Sequence, residues 1–275
     1  MITSARNRWL KDIRRLRRSK DEGRWLLEGP HLLQEALSTG VELEVTLATE
    51  EFLTAAASYS GSEAARVLRD LPRPPLCVDA ALLDDLADAD SPKGLVAIAR
   101  REPCRLADIA VEHEDESVYV FADGLQDPGN LGALVRVIEA AGAAGLLLGQ
   151  GSCRLSHPRA VRASAGSLLR LPAVENVTAG EVDRHLSTGC LTRPTRWLGL
   201  APRGGTDLYS ADLTGPLVLA VGGEGPGLGS PVAERADELV TIPTAGRVES
   251  LNATVAAAVV LFEIARRRRE ERKEC

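Results

Sequence analysis

The 275-residue sequence has no apolar run near the roughly 18 residues a membrane helix needs; the longest runs, such as that containing Val255 to Leu261, are less than half that. A membrane-spanning protein is therefore not expected. The first 24 positions carry arginines throughout and lack the apolar stretch, about 7 to 15 residues long, of a secretory signal, which predicts a cytoplasmic location. The five cysteines (Cys77, Cys104, Cys153, Cys190, Cys275) are far apart and never at CxxC spacing. His31, His113, His157 and His185 are equally scattered. This pattern excludes a disulfide framework and a structural zinc site, and no metal is expected. Neither GxxxxGK[ST] nor the GxGxxG fingerprint is present, which argues against a dinucleotide-dependent oxidoreductase. There is no internal repeat and no low-complexity segment.

What is present is enough apolar residue, 44%, to bury the cores of two small domains. The net charge is −6, but it is unevenly spread. Residues 1 to 24 hold nine Lys/Arg against Asp12, Asp21 and Glu22, so this end is strongly positive and the remainder strongly negative. A second cluster, Arg266 to Arg269 with Arg272 and Lys273, closes the sequence, and Arg154, Arg159, Arg162 and Arg170 form a third strip. Three cationic patches on an acidic protein suit an RNA partner.

Trp9, Leu10, Ile13 and Leu16 recur at helical spacing with Arg8, Lys11, Arg15 and Arg18 opposite, which predicts a basic amphipathic helix over 8–20. Removing residues 1–24 should then weaken RNA binding and spare the cofactor. Strands are predicted at 25–28, 41–48, 75–78 and 95–99, with helices at 31–38, 50–71 and 80–87 and a turn at Ser91-Pro92-Lys93-Gly94. The composition shifts over 102–117, which reads as a linker between an amino-terminal α/β domain (1–101) and a second domain (118–275). In the latter, strand-like runs at 118–122, 146–148, 198–200, 217–221 and 239–242 alternate mostly with helices. That predicts an α/β fold whose largely parallel sheet is covered on both faces.

Three segments of the second domain have the composition of a site. In Asp127-Pro-Gly-Asn-Leu-Gly-Ala-Leu-Val-Arg136, turn chemistry precedes a helix that Asn130 is placed to cap, with Arg136 off its apolar stripe. In Val221-Gly-Gly-Glu-Gly-Pro-Gly-Leu-Gly229, glycines after an apolar strand let a ligand approach the backbone, with Glu224 among them. In Ile242 to Leu261, Ser250 is placed to open an apolar helix, and Ser250 and Asn252 present polar groups at its start. Val255 to Leu261 should pack inside the fold or against a second subunit.

In this order and spacing the segments DPGNLGALVRV, GGEGPGL and IPTAGRVESLNATVAAA resemble the three motifs of the SpoU/TrmH family of RNA 2′-O-methyltransferases. The amino-terminal half resembles, more weakly, the substrate-binding domain of members acting on ribosomal RNA. The resemblance implies S-adenosylmethionine (AdoMet) as cofactor and a carboxyl-terminal fold with a deep trefoil knot. It also implies a homodimer and methylation of large-subunit ribosomal RNA. Methylation of tRNA, or a non-catalytic RNA-binding adaptor of the same fold, are the alternatives. It assigns Arg136, Asn130, Glu224, Ser250 and Asn252 to the catalytic site, and Leu200, Ala201, Gly222, Gly223, Glu224, Ile242 and Leu251 to the cofactor. Gly223, Thr244 and Thr254 depart from the asparagine, methionine and serine common in the family.

Overall fold

The computed structural model describes residues 1–18, 23–86, 94–109, 117–187, 193–225, 227–246 and 248–274. The chain begins α1 (Arg8–Arg18), β1 (Arg24–Glu28), α2 (Pro30–Ser38), β2 (Glu42–Thr49), α3 (Glu50–Ser58), α4 (Glu63–Asp70), β3 (Leu76–Val78), α5 (Ala80–Asp84) and β4 (Leu95–Arg100). It continues β5 (Val118–Asp123), α6 (Pro128–Ala141), β6 (Gly145–Gly149), α7 (Pro158–Ala163), α8 (Ser167–Arg170), β7 (Ala173–Val177) and α9 (Ala179–Leu186). The last elements are β8 (Arg196–Leu200), β9 (Thr206–Asp207), β10 (Leu217–Gly222), α10 (Ser230–Arg235), β11 (Glu238–Thr241) and α11 (Ala253–Glu274). The chain divides into two compact units, one of Met1–Pro103 with Ser156–Arg170, the other of Cys104–Leu155 with Leu171–Cys275.

The first unit is built on a four-stranded sheet in the order β1-β4-β2-β3, with β4 antiparallel to both its neighbours and β3 parallel to β2. Leu10, Ile13 and Leu16 of α1 are buried and join Leu26, Leu47, Val96 and Ile98 in one core, while Arg8, Lys11, Arg15 and Arg18 stay exposed. The basic helix is thus also a wall of the core. Deleting residues 1–24 would remove three core side chains, so that truncation tests folding, not RNA contact.

Carboxylates balance much of this unit's arginine. Glu28 is 5% exposed and accepts from Arg17 and from Arg162 Nη1 at 2.9 Å. Arg24 bridges Asp12 and Glu44, each at 2.9 Å, and Arg170 pairs with Glu35. Arg162 and Arg170, two members of the mid-chain cationic strip, are therefore committed within the unit and are not an open anion surface. The predicted helix over 50–71 is two helices. The chain turns at Tyr59 to Gly61, and the Ser62 hydroxyl caps α4 by accepting from Ala65 N at 3.1 Å. Of the predicted turn at 91–94, only Gly94 lies inside the described residues.

The second unit holds a seven-stranded sheet in the order β7-β6-β5-β10-β8-β11-β9, every pair parallel. The apolar runs predicted as strands form its centre. On one side, Phe121 and Trp197 rings meet at 5.3 Å among Leu147, Val218, Val182 and Leu186. Along α11, Ala257, Val260, Leu261 and Ile264 are buried and the helix packs on α6, whereas Val255 and Phe262 remain about half exposed. Among the described residues no helix is long and apolar enough to cross a membrane.

Candidate functional site

Parallel strands all point their carboxyl ends to one edge of the sheet, and side chains or loops placed there converge on a ligand. β10 is flanked by β5 and β8, with Gly222 opposite Asp123 and Ala220 opposite Gly199, so the glycine loop leaves the sheet at its centre. On β10's other flank β8 pairs with β11, Leu200 opposite Val240. Ala201 N donates to Val240 O at 3.0 Å, and Thr241 Oγ1 donates to Ala201 O at 3.1 Å. Leu200, Ala201, Gly222, Gly223 and Ile242 therefore lie at the carboxyl ends of three adjacent strands.

At its start the glycine loop is folded too tightly for side chains. A Cβ at Gly222 would stand 2.1 Å from Gly227 C, and one at Gly223 2.5 Å from Gly124 O. Gly223 and Gly227 bridge each other across the loop. Asp123 Oδ2 accepts from Gly229 N at 2.7 Å, tying the loop to the end of β5. Asp123 was not among the predicted site residues. Its signal in the sequence is a carboxylate that ends an otherwise apolar strand.

Both predicted helix caps are displaced by a few residues, with one effect. Asp127, not Asn130, caps α6: its Oδ1 accepts from Asn130 N at 2.8 Å, with Pro128 in the first turn. Asn252, not Ser250, serves the start of α11, its Oδ1 accepting from Thr254 N at 3.0 Å and Val255 N at 3.2 Å. Asn130 is thereby placed inside the first turn of α6, where its amide is free to reach sideways. It donates to Glu224 Oε1. Asn252 Nδ2 lies 3.2 Å from Asn130 Oδ1 and 3.5 Å from Glu224 Oε1. Thr254 Oγ1 donates to Asn130 O at 3.1 Å and locks the two helix starts together. Its marker in the sequence is one hydroxyl opening an apolar helix.

One carboxylate and two amides thus join all three motif segments. Arg136 and Ser250 are not members of this network. Both are exposed, Arg136 on α6 six residues beyond Asn130, and neither has a hydrogen bond or ion pair among the described residues. Leu251 is 36% exposed beside Asn252. Nearby, burial pushes the Cys153 thiol up to about 11, so it is no thiolate near neutrality. Among the described residues no group of three or more His, Cys, Asp or Glu side chains could hold a metal ion.

Comparison with known proteins bears on the same segments. The SpoU rRNA Methylase family model matches residues 117–262, and the MRM3-like substrate binding domain matches 7–97. The SpoU methyltransferase AviRb of Streptomyces viridochromogenes, solved in complex with AdoMet, is similar over 96% of this chain and 98% of its own, at 28% identity and a TM-score of 0.82. A solved RNA 2′-O ribose methyltransferase is 32% identical, with 97% of this chain and 98% of that one covered and a TM-score of 0.78. An uncharacterized tRNA/rRNA methyltransferase of Mycobacterium tuberculosis is 45% identical over 157 residues, 57% of this chain. The chain spans about half the length of the curated relatives it matches, 48% in that case. With the family match covering more than half of the chain and containing every residue of the amide and carboxylate network, the chain belongs to the SpoU rRNA methylase family.

Proposed function

We propose that the chain transfers a methyl group from AdoMet to a ribose 2′-hydroxyl of ribosomal RNA. The observation that carries this reading is the Asn130, Glu224 and Asn252 network, which joins three separate motif segments at a glycine-rich loop on the carboxyl edge of the sheet. The residues fit AdoMet: Gly222 and Gly223 let the loop pack backbone against backbone at the carboxyl ends of the strands, and beside them Leu200, Ile242 and Leu251 are apolar side chains that the fold leaves incompletely buried. When bound, AdoMet supplies an electrophilic methyl on a sulfonium.

The remaining chemistry falls to the chain. A ribose hydroxyl is a weak nucleophile near neutrality, so the acceptor oxygen must be oriented and its developing charge stabilised. Arg136, exposed and uncommitted, offers a planar fork of donors that remains charged and suits both a phosphate oxygen and a nascent alkoxide. The proton of the ribose hydroxyl leaves to the RNA phosphate or to water as the oxygen takes the methyl group. Glu224, held by two amides, fixes the loop and the starts of α6 and α11. The matches to a substrate-binding domain and to this family support residues 1–101 as the RNA-binding part and 118–275 as the methyltransferase part, in a cytoplasmic enzyme. The insertion of β8 between β10 and β11 supports a knotted carboxyl-terminal chain. Exposed Val255 and Phe262 support a homodimer through α11.

Arg136→Lys keeps the charge and loses the fork. Turnover should fall by roughly 10²-fold or more while the AdoMet dissociation constant, measured by calorimetry, stays within about twofold. Near-normal turnover would overturn the role of Arg136. Mass spectrometry of digested product should find the label on ribose, and a methylated base would overturn the 2′-hydroxyl assignment.

A further inference from the structure

On α4 of the first unit the fold sorts charge by face. Glu63 lies 3.3 Å from His31 Nδ1 and Asp70 lies 3.5 Å from Gln34 Nε2, so both carboxylates of the helix turn toward α2. Val67 is buried. Arg66 and Arg69, three residues apart and therefore neighbours on the helix surface, are both exposed. The Arg66 side chain has no hydrogen bond or ion pair among the described residues. Arg69 Nη2 reaches Ser60 O at 3.4 Å, which places its guanidinium beside the turn that separates α3 from α4.

That turn carries Tyr59, whose side chain is 68% exposed, more than any other aromatic among the described residues. The ring is nonetheless seated. A Cβ at Gly61 would stand 3.3 Å from Tyr59 Cζ and 3.4 Å from its hydroxyl oxygen, so the ring lies against the one residue of the turn that has no side chain. Ser62 N donates to Tyr59 O at 3.0 Å and closes the backbone of the turn. The neighbours along the chain, Ser58, Ser60, Gly61 and Ser62, are small and polar, unlike the contiguous apolar surface that a protein partner buries. An aromatic plate set among hydroxyls, with a guanidinium beside it, has instead the composition that receives an unpaired nucleotide. A base of any identity stacks on the ring, and arginines take the adjoining phosphates.

We propose that Tyr59 is a stacking platform for an unpaired base of the RNA substrate, with Arg66 and Arg69 on the phosphates beside it. The inference rests on the RNA reading above and deepens it, because it names the surface of the first unit that touches RNA and the class of RNA it selects. A continuous duplex keeps its bases inside the helix and offers this ring nothing, whereas a loop or bulge presents a free base face. A solvated helix face would account for Arg66 and Arg69 alone. It gives no reason for a large ring to be held out of the core, against a glycine, next to them. Holding the ring in advance lowers the ordering cost of each contact it makes.

The test compares two RNA probes on the full chain: a hairpin of about 30 nucleotides with 2-aminopurine in a loop of about ten, and a duplex of equal length with no unpaired base. Tyr59→Ala should weaken binding of the hairpin about tenfold and leave the duplex unchanged, with the plot of log affinity against log salt keeping its slope. Tyr59→Phe keeps the ring and should bind within about twofold of the wild type. The 2-aminopurine emission should be quenched on binding to the wild type and to Tyr59→Phe, but not to Tyr59→Ala. Arg66→Ala/Arg69→Ala should make the salt plot shallower by about 1 to 2, one phosphate contact each. The AdoMet dissociation constant and the melting temperature should stay those of the wild type in every variant. The proposal is overturned if Tyr59→Ala keeps wild-type affinity and quenching, if it weakens hairpin and duplex equally, or if Tyr59→Phe loses as much as Tyr59→Ala. A lowered melting temperature in Tyr59→Ala also overturns it, assigning the ring to holding the turn, and an unaltered salt slope in the arginine pair removes their phosphate contacts. Wild-type protein that binds neither probe would remove the RNA reading itself, whereas wild-type binding indifferent to Tyr59 removes only the platform.

Discussion

The two units use opposite means to fix their polar groups. In the first, arginines grip buried or half-buried carboxylates: Arg17 and Arg162 on Glu28, Arg24 on Asp12 and Glu44, Arg170 on Glu35. In the second, the candidate site is set by two neutral amides, one carboxylate and glycines whose missing side chains let backbone meet backbone. A fold held by buried charge is sensitive to charge removed. A site held by close backbone approach is sensitive to atoms added. The difference teaches that an arginine count says little about RNA contact until the committed guanidinia are subtracted.

The largest expected effect breaks the first unit. Glu28→Ala would leave the largely buried Arg17 and Arg162 without their shared carboxylate, with a cost of about 3 to 5 kcal/mol by urea unfolding. A loss below about 1 kcal/mol would show that solvent reaches this pair and that the comparison is drawn too sharply. Next comes Gly222→Ala, whose Cβ has no room beside Gly227. Overpacking should cost about 1 to 3 kcal/mol and abolish measurable AdoMet binding, while the first unit retains its proteolytic resistance. Unimpaired cofactor binding would mean that the loop opens easily and that backbone proximity is not what shapes the site.

The smallest effect tests whether charge pairing also matters in the second unit. Glu263 has its folded value depressed to about 2 by Arg266 and Arg267, so its stabilisation is present above the ordinary carboxylate range and is lost as pH falls from about 4.5 through 2. Glu263→Gln should cost roughly 0.5 to 1 kcal/mol at about pH 5, and the gap to wild type should narrow by about pH 3. A gap independent of pH would show that Glu263 acts through packing and neutral hydrogen bonds alone.

The central strands were legible because β5, β6 and β10 are nearly continuous apolar runs, as a doubly covered parallel sheet requires. β7 was not. Ala173-Val-Glu-Asn-Val interrupts its apolar positions with Glu175, which accepts from Leu155 N, and Asn176, which adopts φ +59°. β9, two exposed residues at the sheet edge, carries no pattern to read. The break between α3 and α4 was hidden because Ser60-Gly61-Ser62 is short and apolar residues continue on both sides. In the candidate site the motif residues could be named from their order and spacing. Their meeting could not, since Asn130 is 94 positions from Glu224 and 122 from Asn252, and local cap rules assigned two of those side chains to the wrong duty.

The return of Ser156–Arg170 to the first unit makes that unit discontinuous along the chain. During synthesis, the residues through Pro103 emerge with Glu28 and Glu35 still lacking Arg162 and Arg170. At about 5 to 20 residues per second, several seconds pass before those arginines are made. The nascent unit therefore waits with an incomplete charge balance while β5, α6 and β6 are laid down. Its completion is timed by translation of the segment that lies between β6 and β7.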